Sequence, residues 1–372
     1  MSSIIYIGMD VHKESYTLCC YSADEDKVRY QQRLEPDVKY ILRYIEKARA
    51  LYGREDIEFI CGYEAGCMGY SLYRLLTQRG VLCRILAPST MAAVNASHIK
   101  TDKRDAANIA RCLAFHTYSE VYVPDKQDES VKEYLRMRTD QKKALKVIKQ
   151  QILALVLRHG CRYEAGGSHW TKRHISWLKS LDLGGILQES LTEYMITYEY
   201  LADKLQRLEL RIEEIAGTER YEENVNKLSC LIGVKAHTAL SVITESGDFK
   251  RFACAGSYAS YLGLVPGEAS SGEKRRQTSI TKAGNSHLRH LLIESAQSYT
   301  RGAVGYKSSV LKRRQKGCDP QVTAYADRAN ERLRRKFYRM TLTNGSKRNV
   351  AAAAVARELA CFMWGMMNGN IG

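Results

Sequence analysis

The sequence lacks several features that mark whole classes of protein. It has no evident hydrophobic run of the length that crosses a bilayer, and no charged N-terminal stretch followed by an apolar run and a cleavage site. None of the eleven cysteines belongs to a CxxC pair, which argues against a disulfide scaffold and a structural zinc site. No GxxxxGK[ST] loop signals ATP use. These absences predict a cytoplasmic protein without a membrane partner.

Acidic residues are outnumbered by basic ones. Lys and Arg total 57 against 41 Asp and Glu, a net charge of +16. The region 272–348 alone holds nineteen basic and five acidic residues, a net charge of +14, so the remaining chain is nearly balanced. Such an excess predicts an anionic partner bound in a salt-sensitive way, and nucleic acid is the first candidate. The 372 residues are enough for two or three domains.

The N-terminal third alternates between strand-like and helical patterns, which is typical of an α/β domain. Three strands precede the first helix, as in the ribonuclease H fold. The predicted strands lie at about 3–10, 15–22, 27–34, 57–63 and 81–87, and the helices at about 36–52, 69–79 and from 102 onward.

Four acidic residues stand at the ends of these elements. Asp10 and Glu64 each close a strand-like run, while Asp102 and Asp105 open the helix after residue 101. Residues three apart share a helix face, so the last two can aim at one point. Any one of these acids could simply face solvent, and Asp102 could only cap a helix. The set of four favours a Mg²⁺ site for phosphoryl transfer.

From about 127 to 228 the strand-like alternation gives way to helical periodicity. An apolar stripe with mostly three-four spacing predicts either a coiled coil or long antiparallel helical pair, or one face of a monomeric bundle. It comprises Leu191, Met195, Tyr198, Leu205, Leu208, Ile212 and Ile215. Residues 159–168 predict a turn between helices. Residues 228–240 read as helix, glycine turn, helix, a pattern that can offer backbone N–H groups to a phosphate.

A glycine-rich basic loop at 263–276 forms a second chemical centre. It contains the adjacent serines Ser270 and Ser271, followed by Lys274, Arg275 and Arg276. A serine beside glycine can approach a phosphate closely, and the cations can stabilise developing negative charge. A second basic run, with Lys282 and Arg289, precedes another helical pattern. Considered by themselves, the residues of this loop favour a phosphate-binding loop that contains no nucleophile.

Five motifs occur together and in a fixed order along residues 4 to 300. They are IGMDVHK at 7–13, YEAG at 63–66, KTDKRDA at 100–106, LGLVP at 262–266, and SSG at 270–272 with KAGN at 282–285. In this combination the chain resembles the DEDD transposases of insertion-sequence family one-ten, which are relatives of the Piv-type DNA invertases.

The resemblance implies three segments: a RuvC-like domain at 1–126, a helical connector at 127–227, and a mainly helical transposase domain with a basic extension at 228–372. It implies that Asp10, Glu64, Asp102 and Asp105 bind Mg²⁺ and that Ser271 is the nucleophile, with Ser270 as the alternative. The implied partners are a bridge RNA, donor and target DNA, and further copies of the chain in a dimer or tetramer, in a bacterial cytoplasm on nucleoid DNA.

The predicted mechanism is metal-assisted attack of serine on a phosphodiester, followed by strand exchange and rejoining. Two alternatives remain open: a Mg²⁺-dependent junction-resolving nuclease that needs only the acids, and a non-catalytic scaffold that needs only the basic tail. The residues predicted to contact nucleic acid are Lys274, Arg275, Arg276, Lys282, Arg289, Arg334, Arg335 and Lys336.

Overall fold

A computed structural model describes residues 4–53, 57–66, 68–91, 101–268 and 277–371. The chain divides into two units, Met1–Val123 and Pro124–Gly372, which are taken in turn.

The first unit is built on a five-stranded mixed sheet. Its strand order is β3-β2-β1-β4-β5, with β1 antiparallel to β2 and parallel to β4. The strands are β1 (Ile4–Val11), β2 (Tyr16–Ser22), β3 (Lys27–Leu34), β4 (Glu58–Glu64) and β5 (Leu82–Leu86), and the helices are α1 (Val38–Tyr52), α2 (Ser71–Thr77) and α3 (Asp102–Phe115). Every element predicted here from sequence is present, and the fold class is confirmed.

The two faces of this sheet are covered by different helices, as the period-two alternation of strands requires. Ile5, Ile7 and Met9 of β1 share a core with α1 and α2. Residues of opposite parity, such as Tyr6, share a second core with α3. The even-numbered positions of β1 therefore face α3.

The second unit is mainly helical. It contains α4 (Lys126–Arg158), α5 (Lys172–Ser180), α6 (Gly185–Ala216), α7 (Glu222–Ser229), α8 (Ala236–Ser246), α9 (Ala255–Tyr261), α10 (Ser286–Ala296), α11 (Ser309–Gln315), α12 (Pro320–Tyr338) and α13 (Arg348–Met367), with the short strands β6 (Pro266–Glu268) and β7 (Gln277–Ile280). Helices α8 to α10 and α12 to α13 share one large core.

The apolar stripe predicted on α6 packs against α4 of the same chain. Val131 and Leu135, near the start of α4, share a core with Ile212 near the end of α6. Ile152, near the end of α4, shares a core with Leu191 near the start of α6. The two helices are therefore antiparallel, which confirms the long helical pair.

Helix α13 corrects one expectation from the sequence. Its 20 residues are long and apolar enough to cross a membrane by length and composition, whereas the sequence predicts no run of that length. Half of its apolar window is buried inside the unit, including Val355, Leu359 and Met363, where it packs on α9, α10 and α12. Hydrophobicity on all sides is also expected of a helix surrounded by a protein core.

Candidate active site

Two strand ends bring Asp10 and Glu64 to the same edge of the sheet. Met9 of β1 pairs with Tyr63 of β4 in parallel register, and the two acids follow directly after these partners. Asp10 has the same parity as Gly8, and Glu64 has the same parity as Gly62. Both acids therefore belong to the sheet face that α3 covers.

Helix α3 begins at Asp102, beside this edge of the sheet, and Thr101 is its N-cap. The Thr101 side chain accepts a hydrogen bond from the Arg104 N–H, which satisfies one of the free donors of the first turn. Asp102 and Asp105 lie in that turn, where the helix dipole stabilises negative charge. The N-cap is therefore Thr101, so the alternative in which Asp102 caps the helix is wrong, and Asp102 is a first-turn residue beside Asp10.

Three potential metal ligands converge at this point: ligand atoms of Asp10, His12 and Asp102 all lie within 4.8 Å of one another. His12 Nε2 lies 3.2 Å from Asp10 Oδ2, and the Asp10 side chain is 14% exposed. Burial raises the pKa of Asp10, and the charges of Asp105 and Asp102 raise it further, while His12 opposes the rise. The site therefore concentrates negative charge that the protein alone compensates only in part.

This donor set fits a hard divalent cation. Carboxylate oxygens are the ligands that Mg²⁺ prefers, and a bound cation would relieve the repulsion that Asp10 experiences. In the described part of the chain, Glu64 and Asp105 are not members of the converging group. Asp105 still acts on Asp10 through its charge. Glu64 is exposed at the neighbouring strand end.

His12 is the member of the group that the sequence analysis did not select as a ligand. The sequence does indicate that His12 lies near Asp10, because the two residues are two positions apart at the end of β1 and residues i and i+2 of a strand face the same side. An imidazole is an uncommon Mg²⁺ ligand. Its present contact suggests a different role, namely a hydrogen bond that orients the Asp10 carboxylate.

Two glycines allow α3 to approach the sheet closely enough to form the site. A Cβ on Gly8 would lie 2.0 Å from the backbone oxygen of Ala106 and 2.6 Å from the backbone nitrogen of Ala110. A Cβ on Gly62 would lie 2.8 Å from the Leu113 side chain. Only glycine leaves room for the helix backbone at the first position.

The second predicted centre is anchored by the β6–β7 hairpin. Glu268 pairs with Gln277, so residues 269–276 connect the two strands. Ser270, Ser271, Lys274, Arg275 and Arg276 fall in this connection and lie outside the described residues. Their predicted roles therefore remain predictions.

At the base of this hairpin, the backbone segments around Gly263 and Gly284 pack directly against each other. Gly263 has φ of +63°, and a Cβ there would lie 2.1 Å from the Ala283 oxygen. Gly284 has φ of +74°, and a Cβ there would lie 2.0 Å from the Tyr261 oxygen. The Lys282 N–H also donates to the Gly263 oxygen at 3.1 Å. The glycines of the LGLVP and KAGN motifs thus permit the two segments to cross in contact.

A buried carboxylate fixes the end of this crossing. Asn285 Nδ2 donates to Glu245 Oε2 at 2.9 Å, and the Glu245 side chain is 2% exposed. Arg136 donates to both Glu245 oxygens at 2.6 and 3.0 Å, and Lys132 lies 3.6 Å away. Burial opposes ionisation of Glu245, but these partners outweigh it and hold its pKa below the ordinary value. The ion cluster ties α4 and α8 to the hairpin base.

Arg289 is half-buried and belongs to this packing, and its predicted contact with nucleic acid stays a prediction. One guanidinium nitrogen, Nη1, donates to the Leu262 oxygen at 2.9 Å and to the Ala283 oxygen at 3.1 Å. It thereby joins the two crossing segments. Lys282, by contrast, is exposed in the same turn with φ of +58° and remains a candidate for nucleic-acid contact.

The predicted nucleic-acid contact of Arg334 is wrong in this structure. The residue is 6% exposed, and its Nη1 donates to the backbone oxygens of Ala303 and Tyr306 at 2.9 and 2.5 Å. Helical periodicity explains the error, since Arg334 shares the buried face of α12 with Phe337. Arg335 is exposed and pairs with Glu331.

Lys336 is half-buried and bonds Glu358 of α13 at 2.7 Å. The ion pair with Glu358 does not test whether Lys336 binds nucleic acid, which stays a prediction.

The helix, turn, helix predicted at 228–240 is present, but its turn is engaged with the protein. Asn330 accepts from the Ile232 N–H at 2.9 Å and donates to the Cys230 oxygen at 3.1 Å. A Cβ on Gly233 would lie 2.3 Å from the Ser295 oxygen. The Ile232 N–H is consequently not available to a phosphate.

Comparison with known proteins gives consistent matches along the chain. A family model described as "Transposase", and named for DEDD transposases of the IS110 type, matches residues 7–160. A second, described as "Transposase IS116/IS110/IS902 family", matches residues 225–307.

Similar curated proteins carry corresponding names. Putative transposase y4qE of Sinorhizobium fredii is 34% identical over 96% of this chain and 87% of its own length. The transposase for insertion sequence element IS1533 of Leptospira borgpetersenii is 31% identical over 91% of this chain and 96% of its own. The transposase for insertion sequence element IS1111A of Coxiella burnetii is 24% identical over 81% and 79%.

Proposed function

Because this chain belongs to the IS116/IS110/IS902 family of transposases, phosphoryl transfer on DNA is its chemistry, and we propose that it proceeds by serine attack with guidance from an RNA. The observation that carries the chemistry is the convergence of Asp10, His12 and Asp102, with Asp105 one helical turn away. Such a concentration of carboxylates is expected where a divalent ion and a phosphate must meet.

In this proposal Asp10, Glu64, Asp102 and Asp105 hold Mg²⁺. When bound, the ion would supply Lewis-acid polarisation of the scissile phosphate and favour the ionised serine hydroxyl. The residues themselves position the site: Gly8 and Gly62 admit α3 to the sheet, and His12 orients the Asp10 carboxylate through its hydrogen bond.

The proposed nucleophile is Ser271, with Ser270 as the alternative. Its Oγ forms a bond to phosphorus while the bond from phosphorus to the leaving deoxyribose oxygen breaks. The serine proton is transferred to that oxygen, so the strand leaves as a free hydroxyl. The remaining DNA is then held on the serine as a phosphodiester. Attack by an exchanged strand reverses these changes and reseals DNA without water or ATP.

The interlocked base of the β6–β7 hairpin supports this assignment, because a nucleophile must be held in a defined place. Gly263, Gly284 and the Glu245–Asn285 contact fix both ends of the segment that carries the serines. Lys282 lies beside the base and is proposed to contact a DNA phosphate.

The guide RNA, the oligomer and the three-part domain division, 1–126, 127–227 and 228–372, also belong to this proposal. The net charge of +14 in 272–348 supports polyanion binding. Exposed apolar residues on α6, Ile196, Tyr200 and Leu210, support an association of the helical pair with a second copy, in a dimer or tetramer.

The test is to trap the covalent intermediate. Wild-type protein incubated with Mg²⁺, its RNA and target DNA should yield a DNA–protein adduct that survives denaturation, with the phosphodiester on Ser271 by mass spectrometry. Ser271→Ala should lose the adduct and the recombinant product. Asp10→Asn should lose both while retaining DNA binding, because it removes charge from the metal site alone.

Ser270→Ala is the matched control, since it changes the adjacent hydroxyl. Loss of the adduct in Ser270→Ala alone would move the nucleophile by one residue. Cleaved DNA ends that appear only as free hydrolysis products, with no adduct, would replace the serine mechanism with that of a junction-resolving nuclease.

A further inference from the structure

The exposed face of α12 carries a row of arginines that the active-site chemistry does not use. Arg328, Arg332 and Arg335 are exposed on this helix, and Arg339 is exposed on the π-helical turn that continues it. Their spacings of four, three and four residues place them on one helix face. The opposite face, which contains Leu333 and Phe337, is buried in the core. These four residues are called the arginine ridge.

The ridge lines an open groove whose walls are all charged. The lining consists of the four arginines and Lys336 against two acids, Glu331 and Glu358, which leaves a net charge of +3. The cores of protein–protein interfaces are depleted in charge and rich in aromatic residues, so this lining does not suit a protein partner. It suits a repeating anion.

The acids in the groove contact two of the four guanidinium groups, those of Arg332 and Arg335, and the ammonium group of Lys336. Arg335 contacts Glu331, Arg332 contacts Glu358, and Lys336 Nζ lies 2.7 Å from Glu358. The Arg335 and Arg332 side chains are 68% and 71% exposed. The Arg335–Glu331 pair is exposed on both sides, and exposed ion pairs contribute little, so phosphate oxygens can replace that contact readily. The Glu358 side chain is 15% exposed, so Arg332 meets phosphate while it keeps its contact with Glu358. Arginine also suits phosphate because its planar fork makes two parallel hydrogen bonds.

The length of the ridge matches a stretch of duplex. From Arg328 to Arg339 the helix advances by eleven residue steps, about 16 Å at roughly 1.5 Å per step. One strand of a DNA duplex presents about five phosphates over that distance, at roughly one per 3.4 Å. Four guanidinium groups in a row can therefore contact several phosphates of one backbone simultaneously.

We propose that the arginine ridge of α12 is a binding surface for the phosphate backbone of duplex DNA, outside the β6–β7 hairpin. The proposal rests on the proposed function only in taking DNA as the partner. It assigns the ridge to holding DNA in register and not to reading its sequence, because phosphate contacts carry no base information.

The experiment compares two triple variants that remove the same charge. Arg328→Gln, Arg335→Gln and Arg339→Gln together remove three of the four positive charges of the ridge. Lys312→Gln, Arg313→Gln and Lys316→Gln together neutralise three exposed cations at α11 and leave the ridge intact. Arg334 is left unchanged because it is buried. Affinity for a 30-base-pair DNA duplex is measured by fluorescence anisotropy between about 50 and 300 mM salt.

The ridge variant should bind DNA roughly tenfold or more weakly at 0.1 M salt, and its salt slope should fall by about 0.9 for each lost phosphate contact, up to about 2.7. The control variant should retain most of the slope. Equal losses in the two variants would assign the effect to net charge and overturn the proposal. A ridge variant that loses affinity for duplex RNA but not for DNA would also overturn it.

The same samples separate this proposal from the serine mechanism. Ser271→Ala should keep the wild-type salt slope, because its change lies in the hairpin connection. At saturating protein, the ridge variant should still form the covalent adduct. If the ridge variant keeps the wild-type salt slope and the wild-type protein forms the adduct, the ridge proposal is wrong and the serine mechanism stands. If the ridge variant has a reduced salt slope but wild-type protein forms no adduct, the serine mechanism is wrong and the ridge proposal stands.

Discussion

Replacing Gly8 with alanine tests how the catalytic acids are brought together. The new Cβ would lie 2.0 Å from the Ala106 oxygen, where ordinary contact begins at 3.4 Å. Helix α3 must therefore retreat by roughly 1.4 Å, because backbone atoms cannot rotate away as a side chain can. Overpacking of this kind costs typically about 1–3 kcal/mol, and a clash with helix backbone belongs at the upper end.

The same displacement should disable the metal site. Asp102 and Asp105 stand within four residues of Ala106 on α3, so they move with it. Magnesium accepts its oxygen ligands within a narrow range near 2.0–2.1 Å, and a shift of about 1.4 Å exceeds that tolerance. We expect Gly8→Ala to lower the free energy of unfolding of the N-terminal unit by about 3 kcal/mol and to abolish Mg²⁺-dependent DNA cleavage.

Two further glycines provide a graded control. In Gly62→Ala the nearest atoms are side-chain carbons of Leu113 and Leu86 at 2.8–2.9 Å, which can adjust, so the expected loss is about 1–2 kcal/mol. In Gly66→Ala the nearest atom is the Glu64 oxygen at 3.9 Å, and the loss should be small. Chemical denaturation measures the free energy of unfolding of each variant, and calorimetric titration measures its affinity for Mg²⁺. A Gly8→Ala protein with the stability and Mg²⁺ affinity of the Gly66→Ala protein would refute this account.

Two other predictions concern the partners and the acid stability of the protein. Protein expressed together with the flanking sequence of its insertion element should copurify with one structured RNA species, which sequencing identifies. The mass of the complex by light scattering should correspond to a dimer or tetramer. A protein that copurifies with no discrete RNA would contradict RNA guidance. Burial, reinforced by Arg138, lowers the pKa of His237 to about 3. Because its unfolded pKa is near 6.5, the unfolded chain binds the extra proton first, so stability should fall by up to about 1.4 kcal/mol per unit as the pH drops below 6.5. His237→Gln should flatten this dependence between pH 7 and 5 in denaturation measurements, and an equally steep variant would contradict it.

The N-terminal elements could be predicted because their signals are local. Alternation in residues 4–34 and the helical pattern after residue 101 depend on near neighbours, and the observed strands and helices agree with them. The positions of Asp10, Glu64, Asp102 and Asp105 at element ends follow from the same patterns. The antiparallel pairing of α4 with α6 was one of the alternatives that the apolar stripe left open.

Other features depended on contacts between residues far apart in the chain. The need for glycine at position 8 arises only when α3, about a hundred residues later, packs against that strand. The convergence of His12 with Asp102 has the same origin.

The sequence alone determined the composition of the C-terminal region, its excess of arginine and lysine, but not which cations face solvent. Arg334 and Arg335 are adjacent in a basic run, yet one is buried under Ala303 and Tyr306 and the other is exposed. A helix turns by about 100° per residue, so the contact of α12 with the core decides which of two neighbouring arginines can reach a phosphate.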